Sequence, residues 1–186
     1  MSLFRLGSPD WYRSLFNPKG PKGRFDHHPA GEAQEHEGYG ICYLGGSLRS
    51  CIAETCLTSY PTDYSVNGVL KSDRIFVEVE VLRDLELLDL TEDGPLLAGT
   101  FQGILDEYQR RSITQAWARR FYHNPYSEYK RIDGIQWLSS KNGETVYAVY
   151  ERAREWLRIK STSKLTRRPL KLEVLRICDE YRLIFD

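Results

Sequence analysis

The order of apolar and polar residues predicts one strand more clearly than any other element. In Arg74–Leu82 (RIFVEVEVL), apolar residues at 75, 77, 79 and 81 alternate with Glu78 and Glu80, which is the period of a half-buried strand. Leu85–Leu90 is predicted as a second strand, either the neighbour of the first or its continuation. The segment IDGIQWLSS, a tight turn at Asn142–Gly143 and the segment ETVYAVYE together predict an antiparallel hairpin.

The stretch GICYLGGSLRSCIAETCL predicts a strand, a turn and a helix. Gly40–Leu44 is a short apolar strand, two glycines form the turn, and Ser47 is the predicted N-cap of the helix. At about 100° per residue, Glu54 falls at the edge of the apolar side of this helix. Two interpretations stay open: a surface glutamate, or a carboxylate that points into a cleft beside the sheet.

Helical spacing of apolar residues runs from Pro95 to His123, where Pro95 suits a first helical turn and SITQAWARRFYH continues as a second helix. The first forty residues, rich in Pro, Gly and His, are expected to be loop. Three strand-like runs follow in the tail: Trp156–Lys160, Leu170–Ile177 and Tyr181–Phe185. Together these strands and helices predict one α+β domain over residues 1–186 with a largely antiparallel sheet.

Charge and composition argue against several classes of partner. The chain has 26 Lys and Arg and 26 Asp and Glu, so no overall charge attracts nucleic acid or an acidic membrane. No apolar run approaches the about 18 residues of a membrane span, and the N-terminus lacks a signal-peptide core, so a cytoplasmic location is expected. The four cysteines form no CxxC pair and are expected to be buried free thiols.

Common nucleotide-binding and catalytic motifs are absent from the sequence: it contains no GxGxxG, GxxxxGK[ST], HExxH or GxSxG. A loop group could ligate a metal in principle, but it lacks fixed ligand spacing, so no metal is expected. Its members are His27, His28, Glu32, Glu35 and His36.

Four polar residues stand at the ends of predicted elements in an apolar context: Arg24, Tyr43, Glu54 and Ser139. Taken singly, each has a structural explanation, as a solvated loop cation, a core tyrosine, a surface carboxylate and a strand-end hydroxyl. Taken in order, their surroundings resemble the RES domain, a family named for its arginine, glutamate and serine. The resemblance rests on GRF, YLGGSLRSCIAE, LLDL, EYQRRSITQAWA and DGIQWLSS before ETVYAVYE, and it covers about residues 4–151.

The resemblance implies an ADP-ribosyltransferase-like fold, with a mostly antiparallel sheet and flanking helices, and an enzyme that consumes NAD. The implied reaction cleaves the nicotinamide–ribose bond by hydrolysis or phosphorolysis, with NAD as substrate and no cofactor. Many members are bacterial toxins, neutralised by a helix-turn-helix antitoxin and often described as dimers. Two alternatives stay open: mono-ADP-ribosylation of a protein, and a catalytically inactive interaction module.

The resemblance also implies roles for the four residues. Bond cleavage builds oxocarbenium-like charge on the ribose, which Glu54 would stabilise as an ionised carboxylate. Arg24 would bind the pyrophosphate or an incoming phosphate, and Tyr43 would stack on the nicotinamide ring. Ser139 would hydrogen-bond Glu54 or the ribose and hold the orientation of the carboxylate.

Three features of the sequence bear on this assignment. Ser140 directly follows Ser139, so the serine assignment could slip by one residue. The family tends to have a second glycine before the arginine and an asparagine after the aromatic residue, where this chain has Lys22 and Asp26. Asp26 is expected to weaken anion binding near Arg24.

Overall fold

A seven-stranded sheet is the centre of the protein. The computed structural model describes residues 1–9, 12–57, 65–70, 73–105, 110–123 and 131–184. Within these ranges the strands are β1 Ser2–Gly7, β2 Lys19–Gly20, β3 Gln34–Glu35, β4 Ile41–Gly45, β5 Ile75–Val81, β6 Leu87–Asp89, β7 Gly134–Leu138, β8 Thr145–Tyr150 and β9 Leu157–Lys164. The strand order is β6-β7-β8-β4-β1-β5-β9, and β2 pairs with β3 in a separate ribbon.

The sheet is antiparallel except at one edge, where β6 runs parallel to β7. The predicted strands β4 and β5 and the hairpin β7–β8 are confirmed. The connection of the hairpin contains the predicted Asn142–Gly143 turn, in which Gly143 has a φ of 71°, a conformation that favours glycine.

The loop prediction for the N-terminal segment and the placement of the second strand are wrong. β1 lies in the segment expected to be loop, yet it pairs with both β4 and β5. Arg5 interrupts its apolar pattern, and its guanidinium donates to the Leu15 carbonyl. β6 is neither the neighbour nor the continuation of β5, because four strands separate them in the sheet. Asp133 fixes this edge instead, since its carboxylate accepts from the Glu86 N–H at 3.0 Å.

The described helices are α1 Leu48–Cys56, α2 Val66–Leu70, α3 Gly94–Leu97, α4 Arg111–His123 and α5 Leu170–Glu180. The helical prediction for Pro95–His123 is confirmed only as separate pieces, α3, a short 3-10 turn at Gln102–Leu105 and α4; residues 106–109 lie outside the described residues. The strand prediction for Leu170–Ile177 is wrong, because α5 buries Val174, Ile177 and Cys178 at helical spacing. The predicted run at Tyr181–Phe185 makes only an isolated bridge, from Ile184 to Ser65, and Phe185 lies outside the described residues.

Side chains of the sheet enter three apolar clusters on its two faces. In β4, Cys42 and Leu44 pack in one cluster, whereas Ile41 and Tyr43 pack in another that includes residues of α4. Alternate residues of a strand point to opposite faces, so these clusters lie on opposite sides of the sheet. A third cluster joins α1, α2 and α5. This third cluster lies on the same face of the sheet as Tyr43. In β1 the side chains of Leu3 and Leu6 point to opposite faces, and Leu3 packs in the first cluster whereas Leu6 packs in the third.

Of the four cysteines, three are buried, Cys56 is half-buried and none forms a disulfide. Among the described residues no helix combines the length and the apolar character needed to cross a bilayer, and α4, the longest, has 13 residues.

Candidate active site

Helix α1 carries Glu54 and is fixed at its N-terminus by a capping box. The Ser50 N–H donates to the Ser47 hydroxyl at 3.0 Å, and the Ser47 N–H donates to the Ser50 hydroxyl at 3.2 Å, so the predicted N-cap is confirmed. Gly45 allows this close approach of β4, because a Cβ there would lie 2.5 Å from Ser50 Oγ. With Leu48 buried, Glu54 lies half-buried at the edge of the apolar side of α1.

The structure brings Ser139 into contact with Glu54. The Ser139 hydroxyl donates to Glu54 Oε1 at 2.5 Å, and the side chain is only 3% exposed. Ser139 Oγ in turn accepts from the Lys141 N–H at 3.2 Å. Ser140 is exposed, so the geometry favours Ser139 of the two adjacent serines.

Lys141 joins the β7–β8 connection to the end of α1. Its ammonium donates to the Ala53 carbonyl at 3.0 Å and to the Leu57 carbonyl at 2.9 Å. The last carbonyls of a helix lack partners within the helix, and a cation there also complements the helix dipole. Lys141 therefore holds the segment that carries Ser139 against the helix that carries Glu54.

Arg24 lies in a loop that is tied to β4 and α4. The Tyr43 hydroxyl of β4 donates to Asp26 Oδ1 at 2.7 Å and accepts from the Phe25 N–H at 3.0 Å. Gln115 of α4 donates to the Gly23 carbonyl at 2.9 Å. These contacts hold the loop against the middle of β4 and the first half of α4.

Tyr43 has a half-buried ring and a fully engaged hydroxyl. Its ring lies edge-on to Trp137, with 6.4 Å between the ring centroids. Burial and the adjacent Asp26 carboxylate raise the pKa of Tyr43 well above its ordinary value, so the hydroxyl stays protonated and donates. The ring, rather than the hydroxyl, is the part of Tyr43 available to a ligand.

These side chains meet at a cavity of about 310 Å³, at the lower end of the range for small-molecule sites. Arg24, Tyr43 and Glu54 line it, and Ser139 reaches it through Glu54. Arg111 at the start of α4 also lines it, and its guanidinium donates to the Lys22 carbonyl at 3.0 Å. Among the described lining residues Glu54 is the sole carboxylate, so the cavity has one anionic group near cationic ones.

The sequence pattern of the RES domain matches residues 2–171. The chain belongs to the RES domain family. No curated protein sequence matches it significantly. Among solved structures it is similar to a chain of the M. tuberculosis MbcT-MbcA toxin-antitoxin complex, with a TM-score of 0.67 and 15% sequence identity over 96% of this chain and 88% of that one. The predicted α+β, ADP-ribosyltransferase-like fold is confirmed.

In this RES domain the arginine, glutamate and serine expected from the family pattern come from three separate segments. Arg24 precedes β3, Glu54 lies in α1 and Ser139 follows β7. The strand pairs β4–β8 and β7–β8 bring these segments together. The structure thus places Arg24, Tyr43 and Glu54 at one cavity, with Ser139 hydrogen-bonded to Glu54.

Sequence reasoning missed two contributors to the site of this RES domain and did not predict the contacts of a third. Arg111 has no sequence signal beyond its position at the start of a helix. Lys141 contacts carbonyls 84 and 88 residues away, which no local pattern reveals. Asp26, which was expected to weaken anion binding, is 1% exposed and accepts hydrogen bonds within the Arg24 loop.

The histidine group of this RES domain follows the Arg24 loop in the chain and does not line the cavity. His27 and His28 are buried, and the His27 ring contacts the Glu151 carboxylate at 2.9 Å. Glu32 and Glu35 are exposed. In the part of the chain that the structure describes, no three His, Cys, Asp or Glu side chains are arranged to hold a metal ion.

Proposed function

We propose that this RES-family chain is an NAD-consuming enzyme that cleaves the nicotinamide–ribose bond, and that it acts as a toxin. One observation carries the proposal: the Glu54 carboxylate lines the cavity that Arg24 also lines, and it accepts a hydrogen bond from the Ser139 hydroxyl at 2.5 Å. An oriented carboxylate and a guanidinium in one cavity suit a substrate with a cationic reacting centre and an anionic linker.

The proposed reaction breaks the bond between ribose C1 and the nicotinamide nitrogen. The bonding electron pair leaves with nicotinamide, which becomes neutral, and positive charge develops on the ribose. Glu54 stabilises this charge, and the Ser139 hydrogen bond fixes the carboxylate before the reaction, so little reorganisation is needed. Water or inorganic phosphate then adds at C1 and loses a proton to solvent, which gives the hydrolase or the phosphorylase reaction.

The other two residues bind the substrate in this proposal. Arg24 offers a planar set of donors that matches the pyrophosphate. The ring of Tyr43 packs against the nicotinamide ring, while its hydroxyl remains bonded to the Arg24 loop. No cofactor and no metal enter this scheme.

The test is incubation of the purified protein with NAD while free nicotinamide is measured by chromatography, with and without inorganic phosphate. Glu54→Gln keeps the shape of the side chain and removes its charge, so we expect release to fall by roughly 10²- to 10³-fold. Glu155→Gln, the same substitution at an exposed position outside the cavity, is the control and should retain activity. NAD labelled in the adenylate half would mark a protein band if the acceptor were a protein. Absence of nicotinamide release, or a Glu54→Gln variant as active as the parent, would contradict the proposal.

We also propose a protein antitoxin with a helix-turn-helix domain as partner, in the cytoplasm. The similarity to a chain of a toxin-antitoxin complex supports a protein antitoxin as partner. Expression of the chain alone should slow bacterial growth, and co-expression with the product of the adjacent gene should restore it. Light scattering of the co-purified material would give its stoichiometry and would reveal a homodimer of the toxin. Unimpaired growth at high expression would argue against the toxin role.

A further inference from the structure

Asp26 is the buried centre of the loop that carries Arg24. Its carboxylate accepts from the Lys22 N–H at 2.6 Å and the Gly23 N–H at 2.8 Å. It also accepts from the Tyr43 hydroxyl at 2.7 Å, and the residue is 1% exposed. A buried carboxylate is costly unless donors surround it, and these three donors offset that cost.

The backbone on both sides of Arg24 is fixed by this arrangement. On the N-terminal side, the Lys22 and Gly23 carbonyls accept from side chains of α4, Arg111 at 3.0 Å and Gln115 at 2.9 Å. On the C-terminal side, the Phe25 N–H donates to the Tyr43 hydroxyl at 3.0 Å. Arg24 is thus the loop residue whose side chain lines the cavity while its neighbours hold the backbone.

Gly23 shows how closely the parts of this loop fit. A Cβ at position 23 would lie 2.4 Å from the Tyr43 hydroxyl and 2.6 Å from Asp26 Oδ1. Both distances are well below van der Waals contact, so any larger residue at this position would require Tyr43 or Asp26 to shift. The packing therefore ties the position of the loop to the Tyr43–Asp26 hydrogen bond.

We propose that Asp26 and Tyr43 form a positioning pair, which holds the Arg24 backbone so that its guanidinium meets the anionic part of the substrate. This inference rests on the proposed function for the identity of that substrate. It assigns the Tyr43 hydroxyl to the loop and leaves its ring to the cavity. It also replaces the expectation that the Asp26 charge weakens anion binding, because the carboxylate is occupied by three donors.

Three variants test the pair by steady-state NAD cleavage. Asp26→Ala removes all three acceptor contacts, and we expect KM for NAD to rise about 10- to 100-fold with kcat changed less than about 3-fold, because Arg24 binds rather than reacts. Asp26→Asn keeps an oxygen for the two backbone N–H groups, and its amide can donate to the Tyr43 oxygen, so it should restore KM to within about 3-fold of the parent. Tyr43→Phe should raise KM in the same direction, and the double variant Asp26→Ala with Tyr43→Phe should be no worse than Asp26→Ala alone. Glu32→Gln removes an exposed charge from the same segment and serves as the control.

Amide hydrogen exchange gives a readout that does not depend on catalysis. The amides of Lys22, Gly23 and Phe25 should exchange slowly in the parent, and faster by at least about 10-fold in Asp26→Ala. Titration with inorganic pyrophosphate should show the same ranking of variants as KM. If the parent releases no nicotinamide, the proposed function is wrong. Amide hydrogen exchange and the pyrophosphate titration then still decide whether the pair positions Arg24.

Several results would overturn the inference. Tighter NAD or pyrophosphate binding by Asp26→Asn would show that the charge repels the ligand, as the sequence first suggested. Equal exchange rates in the parent and Asp26→Ala would show that the carboxylate does not hold the loop. If the kinetic effects of Asp26→Ala and Tyr43→Phe multiplied in the double variant, the two residues would act independently. If Asp26→Ala does not fold, amide exchange and KM are measured on Tyr43→Phe instead.

Discussion

Replacement of Ser139 by alanine removes one hydroxyl from the centre of the site and leaves the rest of the fold intact. The hydroxyl donates to Glu54 Oε1 at 2.5 Å and accepts from the Lys141 N–H at 3.2 Å. Ser139→Ala therefore deprives a carboxylate of a donor and a backbone amide of an acceptor. The proposed role of Ser139 is to orient Glu54, so the variant should lower the rate rather than abolish binding.

The expected magnitude follows from the environment of the two partners. A hydrogen bond to a charged group contributes about 1.5–3 kcal/mol. Glu54 is half-buried, so water replaces part of the lost interaction in the resting protein, and we expect the free energy of unfolding to fall by about 1 kcal/mol. In the transition state the bound substrate displaces that water, so most of the free energy of the hydrogen bond is lost. We therefore expect kcat to fall about 10- to 100-fold.

The assay is nicotinamide release over a range of NAD concentrations, combined with urea unfolding of each variant. Ser140→Ala is the matched control, because Ser140 is the adjacent residue, has the same side chain and is exposed. We expect KM to change less than about 3-fold in Ser139→Ala and both kinetic constants to be unchanged in Ser140→Ala. A loss of kcat in Ser140→Ala with a fully active Ser139→Ala would refute the assignment. A large increase in KM alone would mean that Ser139 binds substrate instead of orienting Glu54.

Three further predictions concern the surroundings of the site. Lys141→Met removes both donor contacts to the end of α1 and should lower the free energy of unfolding by about 1–2 kcal/mol in urea. Arg111→Ala removes a cation from the cavity and should raise KM for NAD roughly 10-fold with a smaller change in kcat. Burial lowers the pKa of His28, so the unfolded chain binds more protons than the native protein below about pH 6.5, and stability falls as the pH falls. His28→Leu should therefore flatten the change in unfolding free energy between pH 7.5 and pH 5.

Each of these variants has a control of the same residue type at an exposed position: Lys164→Met, Arg110→Ala and His123→Leu. Equal unfolding free energies for Lys141→Met and Lys164→Met would mean that the contacts with α1 contribute nothing. An unchanged KM for NAD in Arg111→Ala would show that Arg111 does not contribute to substrate binding. A pH dependence as steep in His28→Leu as in the parent would assign the acid sensitivity to other groups.

Local pattern predicted the elements whose neighbours along the chain are also their neighbours in space. The hairpin β7–β8 and the unit from β4 to α1 belong to this class, and Ser47 marked the start of α1 correctly. β1 was missed because both of its partner strands are distant in sequence and Arg5 breaks its apolar pattern. α5 was misassigned because a short apolar run suits a strand as well as a buried helix.

The site was predictable only in part, for a similar reason. The resemblance supplied Arg24, Tyr43, Glu54 and Ser139, because a family pattern records residue types in order. It did not supply how they are held. The Asp26–Tyr43 contact spans 17 residues and the Lys141 contacts span 84 and 88, so three-dimensional packing alone reveals them.

The strand order has a consequence for the synthesis of the protein. β8 is the partner of β4 on one side and of β7 on the other, and it follows Ser139 in the chain. A nascent chain that ends at residue 138 already contains Arg24 and Glu54, but it lacks both the serine and the strand that seals the open edge of β4. The ribosome must therefore complete this hairpin before the segments that carry Glu54 and Ser139 can be brought together by the β4–β8 and β7–β8 pairs.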